Sequence, residues 1–151
     1  MSRSDATVLT HTVFSTKDRF AFLDDPLLRR ELHLYVAKVL HGLGCGLITV
    51  GGVADHIHIL CTLSKTVDIA KTIINVKRAS SLWIKKRDKE MLGFSWQSSY
   101  KMFSVDISRI DKVRTYIETQ EKHHLGMSFQ DEVRRFYKHY GMELNESEAW
   151  N

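Results

Sequence analysis

Cysteine is scarce in this chain: only Cys45 and Cys61 occur, and neither has a Cys or His partner at zinc-finger spacing. That argues against a disulfide framework and a structural zinc knuckle, and a reducing, cytoplasmic setting is expected. No apolar run approaches the ~20 residues of a membrane span, and the opening MSRSDATVLTHTVF lacks the basic and apolar regions of an export signal. Neither membrane insertion nor export is expected. Proline is confined to Pro26, and there is no internal repeat, low-complexity tract or obvious linker. A glycine-rich phosphate cradle is also missing, so no nucleotide cofactor is expected.

What is present suits one globular domain spanning 1–151, with 43% hydrophobic and 26% charged residues. Twenty-two Lys and Arg against eighteen Asp and Glu leave a net charge of +4. This leans toward a polyanionic partner, and its weight depends on where the charges lie.

Residues 8–15 (VLTHTVFS) alternate and are β-branched, which predicts a first strand. Asp25-Pro26 opens a helix to about residue 41, closed by the glycines at 42, 44 and 46. Residues 47–53 and 56–63 are predicted as a hairpin across Gly51-Gly52 and Ala54-Asp55. From 67 to about 89 the spacing is helical: Ile69, Ile73, Val76, Ser80 and Trp83 form one stripe, with Lys71, Arg78 and Lys85 opposite. A fourth strand is expected over 100–105, a helix capped by Ser108 and running to about 122, and a last helix over 129–140. The order βαββαβ plus two helices predicts an α+β, ferredoxin-like sandwich: an antiparallel sheet, helices on one face, the other face open to a ligand, and additional C-terminal helices.

His56 and His58 are two apart on a predicted strand, so both imidazoles leave one face and can share a metal ion. Ile57 and Ile59 claim the opposite, core-facing side. A His-x-His pair alone more often means surface or hydrogen-bonded histidines, and it is the core-facing Ile57 and Ile59 that favour the metal reading. On the following helix Tyr116 and Gln120 are one turn apart, while Ile110, Val113 and Ile117 define the apolar stripe and leave Tyr116 roughly 90° from its centre. Taken by itself this segment also fits an amphipathic boundary tyrosine with a polar neighbour. Together, the glutamine oxygen can join two imidazoles around a cation, and the tyrosine supplies an oxygen nucleophile.

These motifs, with HTVFSTKDR, GGVADHIHIL, KRASSLWIKK, FSWQSSYKMFSVDISRIDKVRTYIETQEKHH and SFQDEVRRFYKHYGMELNESEAW, resemble the single-tyrosine transposases of small bacterial insertion sequences, members of the HUH superfamily. The resemblance runs nearly end to end. It implies that His56, His58 and Gln120 bind Mg²⁺ or Mn²⁺ and that Tyr116 attacks single-stranded DNA beside a hairpin. A covalent 5′-phosphotyrosine and a free 3′-OH would result, and strands could be rejoined without ATP. The resemblance also implies a homodimer whose tyrosine helix completes the partner's histidine site. The alternative is a non-catalytic, ferredoxin-like module that binds single-stranded nucleic acid; the aromatic pattern expected on its central strands is missing.

Further residues fit either DNA contact or plain structure, with packing the commoner role of aromatics at a strand entry. Lys71, Arg78 and Lys85 could track phosphates or simply face solvent. Trp96 and Tyr100 could stack unpaired bases or pack at a strand entry. His123 and His124 could touch DNA or cap the helix C-terminus.

Overall fold

The computed structural model describes residues 4–124 and 126–150; the side chain of His123 lies outside the described part. The sheet consists of β1 (Leu9–Ser15), β2 (Gly46–Gly52), β3 (His56–Thr62) and β4 (Lys101–Ser104) in the order β2-β3-β1-β4, all antiparallel. The helices are α1 (Pro26–Gly42), α2 (Ile69–Arg87), α3 (Ile110–Glu118), α4 (Gln120–His123) and α5 (Phe129–His139). This is the predicted ferredoxin-like sandwich with additional C-terminal helices. No helix among the described residues is long and apolar enough to cross a membrane.

Local chemistry accounts for the helix starts. Asp25 accepts a hydrogen bond from Leu27 N with Pro26 at the first helical position, Asp68 accepts from Lys71 N, and Ser128 accepts from Asp131 N. Asp106, not Ser108, caps the turn that leads into α3, accepting from Ser108 N at 2.8 Å. The predicted helix over 108–122 is broken at Thr119 (φ −110°, ψ 25°), which separates α3 from α4. On α2 the buried stripe is Thr72, Ile73, Val76, Ser80 and Ile84; Ile69 is exposed, and Trp83 instead stacks on Tyr35 at 5.3 Å.

Alternation along the strands separates two faces. Phe14, Ile57, Ile59 and Cys61 pack with Leu28, Leu32, Val36 and Leu40 of α1 and Val76 and Ile84 of α2 to form the main core. The opposite face carries His11, Val13, His56, His58 and Leu60. The expectation that this second face stays open is overturned. Ile117 of α3 packs on Leu9 and Leu60, and Phe129 and Val133 of α5 pack on Val13. The reason is that this face is also apolar between its histidines, at Leu9, Val13 and Leu60, and α5 carries its own apolar stripe at i, i+4 and i+7 (Phe129, Val133, Phe136) that must also leave water.

One glycine lets the cover close and another turns the hairpin beneath it. A Cβ on Gly51 would lie 2.5 Å from the Ile117 carbonyl oxygen, so α3 can approach β2 only over a bare backbone. Gly52 turns the chain at φ +156°, where a Cβ would strike the His56 carbonyl at 2.3 Å.

Candidate active site

His56 and His58 do share one face of β3, opposite Ile57 and Ile59, and both are fully buried beneath α3 and α5. Between their rings stands Glu132 of α5, a residue outside both the His-x-His and the Tyr116/Gln120 motifs. Its Oε1 lies 2.9 Å from His58 Nε2 and 3.2 Å from His56 Nε2, and its Oε2 lies 3.1 Å from His124 Nε2. The Tyr116 hydroxyl donates to the same Oε2. One ligand atom each from His56, His58, His124 and Glu132 falls within 4.8 Å of the others.

Hydrogen bonds behind the rings fix which nitrogen faces the cluster. His56 Nδ1 donates to Asp55 Oδ1 at 2.7 Å, and His124 Nδ1 donates to the Met127 carbonyl at 2.6 Å. In the neutral rings Nε2 therefore presents a lone pair. Both Nε2 atoms are buried without a hydrogen-bond partner among the described residues, although each is near a Glu132 oxygen. Lone pairs facing a carboxylate require positive charge between them, either a proton or a cation. The donor set thus fits a divalent metal, and its mixture of imidazole and carboxylate suits Mn²⁺ better than Mg²⁺. His58 is oriented from behind by His11 of β1, with His11 Nε2 2.8 Å from His58 Nδ1.

Titration follows the same geometry. Burial disfavours charge on Glu132, but contacts with His124, His56 and His58 outweigh it and hold the carboxyl well below its usual range. Burial lowers His58 to about 4, and lowers His11 to about 3 with help from His58. For His56 burial is outweighed by Asp55 and Glu132, which raise its pKa. Burial, then the negative charge of Glu132, push the Tyr116 phenol up, so its resting form is neutral.

Gln120, at the start of α4, is buried; its Nε2 donates to the Tyr116 carbonyl at 3.2 Å and its Oε1 has no partner among the described residues. Gln120 borders a cavity lined also by Arg29, Arg30 and His33 of α1.

The sequence of residues 5–120 matches the family model described as "Transposase IS200 like". The chain belongs to the IS200-like transposase family. The match includes His56, His58, Tyr116 and Gln120 and ends before His124 and Glu132. Among solved structures, the chain is similar to a candidate transposase from Deinococcus radiodurans R1, with 20% identity, TM-score 0.59, and coverage of 80% of this chain and 98% of that one. It is also similar to a REP-associated tyrosine transposase bound to a REP hairpin, with 14% identity, TM-score 0.56, and coverage of 90% and 87%. At these identities the likeness concerns the fold. No curated protein sequence matches the chain.

The remaining sequence candidates lie away from this cluster. Lys71, Arg78 and Lys85 are on α2, which packs on the other face of the sheet. Tyr100 packs against that same core. Trp96 is a core residue: it is 8% exposed, its Nε1 donates to Ser80 Oγ at 2.9 Å, and its ring meets Phe14 and Phe94 edge to face. No face of that indole is left for a base. The side-chain reading of His123 lies outside the described residues, whereas His124 turns inward to Glu132 instead of outward to solvent.

Sequence signals for the missed residues exist. Glu132 falls inside the apolar stripe of α5 between Phe129 and Val133, and a carboxylate in such a position needs a buried partner. His11 alternates with Leu9 and Val13 on β1, which sets it on the face that His58 occupies one strand away.

Proposed function

We propose that the protein is a metal-dependent transposase that cleaves and rejoins single-stranded DNA at hairpin-bearing ends through a covalent 5′-phosphotyrosine. The observation that carries this reading is the Tyr116 hydroxyl held against the buried cluster of His56, His58, His124 and Glu132 in a chain of this family. The relative bound to a REP hairpin supports hairpin DNA as the partner.

In the proposed reaction the Tyr116 oxygen attacks the scissile phosphorus and gives its proton to Glu132, which already accepts its hydrogen bond. The phosphorus–O3′ bond breaks, the 5′ phosphate stays on Tyr116, and the departing oxygen takes up a proton as a 3′-OH. Attack by another 3′-OH reverses the step and joins strands with no nucleotide cofactor. His56 and His58 are the proposed metal ligands, with oxygen from Gln120 or Glu132. A divalent ion there supplies positive charge that polarises the scissile phosphate. Asp55, His11 and Met127 hold the imidazoles in the orientation this needs.

The reading extends to a cytoplasmic homodimer with composite sites. The described chain seats Tyr116 beside its own His58, so composite sites would require α3 to be exchanged between subunits. Mixing a His56→Ala protein with a Tyr116→Phe protein restores one complete site only if sites are shared.

The central test is Tyr116→Phe, which keeps the ring and removes the attacking oxygen. Wild type incubated with labelled hairpin DNA and Mn²⁺ should retain label on protein in a denaturing gel, mapping to Tyr116. The variant should bind the hairpin and form no adduct. An adduct on the variant overturns the assignment of the nucleophile.

A further inference from the structure

Gln120 does not owe its place to the helix that carries Tyr116. α3 stops at Glu118, the chain breaks at Thr119, and Gln120 opens α4, which is only four residues long. A helix of one turn has no stability of its own, so its position is set by what it touches. α4 is tied across to α1 by an ion pair, with Glu121 Oε1 2.5 Å from Arg29 Nη2.

Arg29 is 8% exposed, and a buried guanidinium needs a partner for each nitrogen. Its Nη1 donates to the Leu23 carbonyl at 2.7 Å and to the Asp24 carbonyl at 3.3 Å, while Nη2 serves Glu121. The Leu23 end leads on toward the histidines. Leu23 N donates to the Ala54 carbonyl at 2.9 Å, and the next residue, Asp55, accepts from His56 Nδ1 at 2.7 Å. One guanidinium therefore spans the turn that aims His56 and the short helix that carries Gln120. Lysine, a single nitrogen on a flexible stem, lacks the fork to reach both.

The Glu121 side chain is 71% exposed, so water screens the pair and its contribution to global stability is small. Its effect is on placement. A cavity of about 360 Å³ lies alongside, bordered by Arg29, His33, Gly51, Gln120 and Glu121. Gln120 Oε1 and His33 Nε2 are both buried without a hydrogen-bond partner among the described residues. No bond to its oxygen pins the Gln120 amide, and the cavity is room into which α4 can shift once Glu121 is released.

We propose that Arg29 is a positioning residue for the metal centre: through Glu121 it holds α4 where the Gln120 oxygen can join His56 and His58 around the ion. This rests on the proposed metal-dependent function and adds to it a residue from the helix layer on the far face of the sheet.

The experiment uses full-length protein, with Mn²⁺ affinity read by calorimetry without DNA, stability by the urea midpoint in EDTA, and adduct formation by denaturing gel. Glu121→Ala should bind Mn²⁺ about 10-fold more weakly than wild type, with an unchanged urea midpoint. Arg29→Lys should lose affinity by a similar factor. Glu121→Gln, whose amide oxygen still accepts from Nη2, should recover most of it. In a Gln120→Ala background, Glu121→Ala should cause no further loss, because the pair acts through Gln120. Glu31→Ala, which removes the 2.5 Å pair with Arg87 elsewhere, should bind as wild type.

Wild-type affinity in Glu121→Ala, Arg29→Lys or Gln120→Ala overturns the assignment. So does a Glu121→Ala loss that persists without Gln120 or is matched by a fall in the urea midpoint. If the coupling is absent while wild type forms the DNA adduct, the positioning role falls and the proposed function stands. If the coupling is found but wild type forms no adduct, Arg29 keeps its role and strand cleavage falls.

Discussion

The Tyr116 hydroxyl donates to Oε2 of Glu132, linking the proposed nucleophile on α3 to the one carboxylate among the clustered imidazoles, sixteen residues further along the chain. The same oxygen lies 3.1 Å from His124 Nε2, so a phenol and an imidazole converge on one acceptor.

The first expectation concerns that link. Glu132→Gln keeps the shape and removes the charge that helps hold the phenol neutral, so the Tyr116 pKa should fall while burial still keeps it above the ordinary tyrosine value. Nuclear magnetic resonance of ring-labelled tyrosine, assigned with Tyr116→Phe, reads this directly. An unchanged titration contradicts the coupling.

Metal affinity provides a second test, measured calorimetrically with Mn²⁺ and no DNA present. His56→Ala or His58→Ala should abolish binding with the helical signal intact. His124→Ala should cost at least the ~10–100-fold that loss of even an outer partner costs. Glu132→Ala should weaken binding more than Gln120→Ala, because the Glu132 oxygens already lie among the imidazole nitrogens. The reverse order would make Gln120 the dominant oxygen ligand.

Stability of the metal-free protein should fall as the solution is acidified from about pH 6.5 to 4. Burial lowers His11 to about 3 and His33 and His58 to about 4, so each stays neutral in the folded state while the unfolded chain takes up its proton near 6.5. Stability from each is complete above that value and lost as pH drops toward the folded one, at ~1.4 kcal/mol per pH unit per group. His56 has the opposite sign: its raised pKa gives a contribution that is full below 6.5 and fades at higher pH. Glu132, held below its usual range, loses its contribution only under more acidic conditions. Urea denaturation in EDTA across this window measures the slope, and a flat profile contradicts it.

Gly51→Ala should destabilise the fold by roughly 1–3 kcal/mol through overpacking. The added methyl would lie 2.5 Å from the Ile117 carbonyl oxygen and 2.8 Å from its Cγ2. Since Ile117 adjoins Tyr116, adduct formation should drop further than stability does at a temperature where the variant is folded. Thermal melts paired with the gel assay separate the two effects; full adduct yield would mean that α3 does not depend on this approach.

Sequence periodicity carried the sheet and its helices well, because alternation and capping are local. The His56/Ile57/His58/Ile59 pattern assigned both faces of β3, and Asp25-Pro26 marked the start of α1. The cover was less legible. Whether α5 lies on the sheet depends on contacts between Val133 and Val13, far apart in sequence, and the pattern of α5 alone says only that one side leaves water. Glu132 followed the same fate: its place in the stripe signals a buried partner, but which partner is a tertiary fact. The basic stripe of α2 is legible because it repeats along one helix, whereas Arg109, in the turn before α3, and Arg135 of α5 come to one cleft only after folding.

Because the cluster joins His11 near one end of the chain to Glu132 near the other, its assembly waits on synthesis. A nascent chain with its first four strands outside the ribosome has every hydrogen-bonding partner for the sheet but not the carboxylate on which the imidazoles converge. At ~5–20 residues per second, the interval between completion of β4 and emergence of α5 is a matter of seconds. During that interval α3 can cover only Leu9 and Leu60, and a product of premature termination before residue 129 would be left with the Val13 side of that face permanently exposed and aggregation-prone.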